Sequence, residues 1–208
     1  MSSTNKKEQL AHLQKQYHDC SRCPALCANR TQVVFGVGNP DACKIVIIGE
    51  APGKREDELG EPFVGRSGQV LDSLLVDIGV AREEAYITNT ILCRPPENRN
   101  PSPEELANCR ARLEEHIRIL DPKVVITLGN FATKYMLETK KGITELRGKV
   151  HTKGFMKIVP MFHPAVLLYS GNSPEKRAEM LKDFKVVQEI LGSEPKKQPV
   201  EKKLSEYL

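Results

Sequence analysis

"KIVIIGEAPGKREDELGEPFVGRSG" (residues 44–68) decides how the chain is read. Its first five residues are a short, β-branched apolar run, the pattern of a strand buried on both faces. The run ends in a glycine- and proline-rich loop, "GEAPG" (49–53), followed by a string of acids and one isolated phenylalanine, Phe63. A loop of this composition after a buried strand offers backbone amides, carboxylates and an aromatic ring to one ligand.

Three further apolar runs predict strands over 85–91, 123–128 and 157–160. Helical stripes separate them. Val70, Leu71, Leu74, Leu75 and Ile78 share one face, and Leu106, Leu113, Ile117 and Leu120 share another. The second of these helices has a marked start, with Ser102 as N-cap, Pro103 at the first helical position and Glu105 closing a capping box. A short helix is predicted near 130–137. A longer one runs from Ser173-Pro174 to about Leu191, with Met180, Leu181, Phe184, Val187 and Ile190 inward. Before the first strand, Leu10, Leu13 and Tyr17 mark an amphipathic helix over 5–19, and "SRCPALCANR" (21–30) reads as a loop. The fold class is therefore α/β, a mostly parallel sheet covered on both faces. Ligands of such sheets sit at the carboxyl ends of the strands. "GEAPG", "TNTILCRPPENRNP" (88–101) and "HPAVLL" (163–168) all fall there, which argues for one site.

The chain has 208 residues and a net charge of +4, the size of one domain with a mild bias toward anionic partners. That charge does not by itself establish nucleic-acid binding. No run of 18 apolar residues is present, so no membrane span is expected. The first residues lack the apolar core of a secretory signal, so a cytoplasmic location is expected. Residues 193–208 are polar, charged and proline-interrupted, and a mobile tail is expected there, following a domain over 1–192.

In a reducing compartment the six cysteines are not expected to form disulfides. Cys43 reads as a small buried side chain. Cys20-x-x-Cys23 is a two-ligand knuckle, and Cys93 and Cys109 supply two more thiols, Cys109 from the apolar stripe of its helix. Four thiolates suit zinc or an iron–sulfur cluster, and spacing does not choose between them. Cys27 is a rival for Cys23, and the alternative for Cys93 and Cys109 is plain core packing.

Taken together, "GEAPGKREDELGEPFVGRSG", "YITNTILCRPPENRNPSPEE", "HPAVLL" and the cysteines at 20, 23, 93 and 109 resemble the family 4 uracil-DNA glycosylases, the thermostable, iron–sulfur-containing branch of that superfamily. The resemblance covers about residues 10–190. It implies a four-stranded parallel sheet between helices, a 4Fe-4S cluster on Cys20, Cys23, Cys93 and Cys109, and excision of uracil from DNA as a monomer. The base must leave the stack to be cut. Phe63 then supplies an aromatic face, Asn89 a donor and acceptor for the uracil edge, and the backbone of Glu50, Ala51 and Pro52 a border. His163, opening "HPAVLL", matches the family histidine that donates to O2 of the departing anion.

In the best-known uracil glycosylases an aspartate stands where this chain has Ala51. Glu50 is the nearest carboxylate and the first candidate to position water or stabilise the cationic sugar, with Asp57 and Glu58 as alternatives. The bland reading of Glu56, Asp57 and Glu58 is a solvated acidic loop. Arg66, Arg94 and Arg99 are candidates for phosphate. Leu167 reads either as a wedge replacing the flipped base or as core. His12, His18, His116 and His151 are expected to be solvated. A sibling branch bonds covalently to DNA through a histidine in an insert after the first motif. Residues 58–68 carry neither insert nor histidine, so turnover is expected. "LRGKVH" (146–151) also resembles the family and is expected near the base or DNA. "EKKLSEYL" (201–208) loosely resembles a sliding-clamp peptide, with Glu201 in place of the usual glutamine. The competing readings are a non-catalytic nucleic-acid or iron–sulfur module and a polymerase-associated domain of the same superfamily.

Overall fold

A computed structural model describes residues 5–192. The tail expected over 193–208, and the clamp-like peptide in it, lie outside the described residues. The chain opens with α1 (Lys6–Tyr17) and a short α2 (Pro24–Asn29). Next come β1 (Ile45–Gly49), α3 (Lys54–Leu59), α4 (Arg66–Asp77), β2 (Ala85–Asn89) and α5 (Pro103–Leu120). The second half contains β3 (Val124–Leu128), α6 (Gly129–Leu137), α7 (Ile143–Leu146), β4 (His151–Lys153), β5 (Met156–Met161), α8 (Ala165–Tyr169) and α9 (Pro174–Leu191).

The sheet has the order β2-β1-β3-β5-β4. β1 pairs in parallel with β2 and β3, and β3 with β5. This is the predicted four-stranded parallel core, with one correction: β4 adds a fifth, antiparallel strand at the edge. It is three residues long, only partly buried, and turns back through Gly154, so it carries no alternating apolar pattern to betray it. The reading of 21–30 as loop is corrected as well. Pro24 opens α2 at the first helical turn, a start signal visible in the sequence.

Alternation along β1 builds two cores. Val46 and Ile48 face a cluster with Leu10, Leu13 and Tyr17 of α1 and Leu113 and Ile117 of α5. Ile45 and Ile47 face the other side, against Leu71 and Leu74 of α4 and Phe184 and Val187 of α9. Each fully buried aliphatic side chain contributes about 1.5–3 kcal/mol, which is why a run apolar at every position takes the middle of the sheet. The helix starts are fixed locally. Ser102 Oγ accepts from the Glu105 amide at 3.2 Å while Glu105 Oε2 accepts from the Ser102 amide at 2.8 Å, the predicted capping box. Ser173 caps α9, whose last residue is followed by the left-handed Gly192.

Candidate active site

β1 ends at Gly49, which pairs in register with Asn89, the last residue of β2. A Cβ on Gly49 would lie 2.3 Å from Asn89 Oδ1 and 2.7 and 2.8 Å from ring atoms of Phe63. The missing side chain is what lets carboxamide and ring share that space. The Phe63 ring centroid stands 5.8 Å from that of His163, inclined by 31°. The end of β2, the turn after β5 and the loop between α3 and α4 thus bring Asn89, His163 and Phe63 together. Phe63 and Asn89 are buried and His163 is half-buried.

Phe63 reaches this place through a left-handed backbone, φ 55°. That conformation costs a bulky L-residue on the order of 1–3 kcal/mol. Glu56 offsets it: Oε1 accepts from the amides of Val64 at 3.1 Å and Gly65 at 2.9 Å. Gly68 makes room, since a Cβ there would fall 1.7 Å from the Phe63 carbonyl oxygen. The loop entering α3 is tied to β2 by the Thr90 amide, which donates to the Gly49 carbonyl at 2.9 Å, and by the Thr90 hydroxyl, which donates to the Glu50 carbonyl. The carboxyl of Glu50 is half-buried, and burial pushes its pKa up. Pro52 is buried and Ala51 half-buried in the same turn.

His163 follows β5 by two residues. The Ala165 amide donates to its Nδ1 at 3.2 Å, so the neutral ring carries its proton on Nε2. Burial pulls its pKa down to about 4, against the opposing charge of Glu56. The ring is therefore a neutral donor at physiological pH.

At the other face, Cys20, Cys23, Cys93 and Cys109 line one small pocket. Arg30 Nη1 donates to Cys93 Sγ at 2.9 Å, and Asn108 Nδ2 to Cys23 Sγ at 3.4 Å. Donors aimed at sulfur favour its anionic form. Cys27 is turned away, its thiol donating to the Cys20 carbonyl at 3.3 Å. Cys43 is buried, its thiol pushed up to about 11 by burial. Among the described residues no three His, Cys, Asp or Glu side chains converge on a single ion.

Residues 35–185 match the model of the family described as "Uracil DNA glycosylase superfamily". The type-4 uracil-DNA glycosylase of Thermotoga maritima is 41% identical over 191 residues, 91% of this chain and 98% of that protein. The chain belongs to the type-4 uracil-DNA glycosylase family. The type-4 uracil-DNA glycosylase of Archaeoglobus fulgidus is 39% identical over 209 residues, covering 97% of this chain and all of that protein. A DNA polymerase of Bacillus phage SP01 is 29% identical over 163 residues, 77% of this chain but only 17% of the polymerase.

Several sequence expectations need correction in this type-4 glycosylase. His116 is fully buried rather than solvated, between Phe35 at 4.3 Å and Tyr86 at 5.4 Å between ring centroids. Its place on α5, one turn past Arg112, lies on the inward stripe, which could have flagged it. His151 is half-buried and bonded to the Leu146 carbonyl, while His12 and His18 are exposed as expected. Asp57 is buried, accepting from the Thr31 amide at 3.0 and 2.9 Å, so it anchors the chain leaving the cysteine knuckle instead of facing solvent. Glu56, read as solvated, supports Phe63. Leu167 is 1% exposed and packs in the α4–α9 core, so it fills the interior rather than standing out as a wedge. Arg66 is exposed at the start of α4, whose Gly65 N-cap leaves the first amides without a side-chain cap. Arg94 is bonded to Asn98 and Arg99 to the Glu105 carboxylate.

Proposed function

We propose that the chain hydrolyses the N-glycosidic bond of uracil in DNA, releasing the free base and leaving an abasic site, with Phe63, Asn89 and His163 holding the base as it departs. The observation that carries this reading is the convergence at Gly49. A flat base extruded from the duplex stacks on the Phe63 ring and meets the Asn89 carboxamide. The carboxamide donates to O4 and accepts from N3–H. Cytosine presents the opposite groups, and each buried polar atom left unpaired costs about 1–3 kcal/mol. As the bond breaks, electrons pass to the base and gather at O2. The Nε2–H of His163 stabilises them without a proton being transferred; water adds to the sugar carbon in place of the base and gives up a proton to solvent, and the departed uracil anion takes one up from solvent. Glu50 positions that water or stabilises the cationic sugar, with Ala51 and Pro52 bordering the base.

Cys20, Cys23, Cys93 and Cys109 hold a 4Fe-4S cluster that ties the N-terminal segment to α5. The support is four thiols in one pocket with two N–H donors on their sulfurs. A four-iron cube spreads its ligands wider than one ion does. Arg66 and the open amides of α4 meet a phosphate beside the flipped nucleotide. Incubation with a uracil-containing oligonucleotide followed by alkali tests the reading. The wild-type chain should nick it, and cytosine and thymine controls should remain whole. An intact uracil strand would end it.

A further inference from the structure

The largest fully buried side chain among the described residues is a cation, Arg112 on α5. Its guanidinium lies behind the strand end that presents Asn89. Nη2 donates to the carbonyl oxygens of both Asn89 and Thr90 at 2.9 Å. Nη1 donates to Thr88 Oγ1 at 3.2 Å and lies 3.5 Å from His116 Nδ1. Nε has no hydrogen-bond partner. His116 is in turn 3.3 Å from the Tyr86 hydroxyl through Nε2, and burial holds its pKa well below the ordinary value, so it faces the arginine uncharged. Burial opposes the charge of this guanidinium and pulls its pKa down.

We propose that Arg112 is a positioning residue for the base-reading amide: it clamps the backbone at Asn89 and Thr90 and so fixes the carboxamide that Asn89 presents. This rests on the reading of Asn89 as the base-binding residue. The geometry explains why a cation lies where a neutral residue would pack at lower cost. One guanidinium nitrogen donates to two successive carbonyls at the end of β2 and so fixes the backbone that carries the carboxamide.

Arg112→Gln and Arg112→Lys test the clamp on the iron-loaded protein. The glutamine variant should keep its iron and visible absorbance, lose about 10–100-fold in kcat with KM changed by less than about threefold, and bind free uracil more weakly in an NMR titration of the Asn89 side-chain amide. The lysine variant, keeping the charge, should recover part of both. Wild-type kcat and uracil affinity in the glutamine variant overturn the proposal; should that variant not fold, the same result in the lysine variant does so. A fully active Asn89→Ala variant would instead sink the base-pocket reading and leave the Arg112 contacts unexplained.

Discussion

At the carboxyl edge of the sheet, Asn89 ends β2, His163 follows β5 by two residues and Phe63 lies in the loop between α3 and α4, where Glu56 holds the amides of Val64 and Gly65. At the cysteine end, Cys20 and Cys23 come from a segment that belongs to no strand, brought to Cys93 and Cys109 by the packing of α1 on α5. The first region stores strain, in the left-handed Phe63 and in glycines that admit no side chain. The second shows no positive-φ residue at its four thiols and gathers donors around sulfur. The contrast teaches that the proposed base site depends on backbone precision, whereas the cysteine site depends on distant segments docking correctly.

That division can be broken by substitution. The largest effect is expected at His163: alanine there should lower kcat about 10²–10³-fold, as loss of an anion-stabilising donor does elsewhere, with iron content unchanged in the purified protein. Gly49→Ala should come next, since its methyl group would collide with Asn89 and Phe63; at least about a tenfold loss of kcat/KM is expected, with iron retained and Tm lowered by several degrees. Cys93→Ser and Cys109→Ser should show the reverse pattern, losing visible absorbance and thermal stability first. A cysteine variant with full iron, or a Gly49 variant without it, would erase the distinction. Glu56→Ala, which frees the Phe63 loop without touching the base, should cost about tenfold or less, a ground-state effect readable in KM. Arg66→Ala should be the smallest, weakening DNA binding severalfold and reducing the salt slope by about 1.

Acidity sharpens the comparison in a different way. The His163 ring is pushed to about 4 from an ordinary 6.5. The unfolded chain therefore takes up a proton at this site before the folded chain does as pH falls from 6.5 toward 4, and stability drops across that window. His116 acts in the same direction. Chemical denaturation between those pH values should show the fall, smaller in His163→Gln. The rate should stay level on the His163 account above that window and decline as the ring charges, because a protonated Nδ1 confronts the Ala165 amide.

Much of this was legible in the chain. β-branched runs marked the four parallel strands, Ser102-Pro103 and Glu105 marked α5, and three motifs marked the residues that meet at the proposed base pocket. Short or charge-rich elements escaped: β4 has three residues and no apolar alternation, and α3, "KREDEL", has only charge and a left-handed Gly60 to announce it. Partnerships also escaped. Nothing in the spacing of Glu56 says that it bonds two amides beside Phe63, nor in that of Arg112 that a cation lies under Asn89. Such contacts are settled by tertiary packing, because whether a charge is solvated or enclosed depends on which helix face turns inward.

The order in which the chain is made gives the docking of α1 on α5 a further meaning. Cys20 and Cys23 emerge from the ribosome well before Cys109, which lies past the midpoint of the 208 residues. The proposed centre, which needs all four sulfurs, cannot close until β2 and the first turns of α5 have appeared. It therefore waits until just past the midpoint of synthesis, and the thiols of Cys20 and Cys23 stay unclaimed until then.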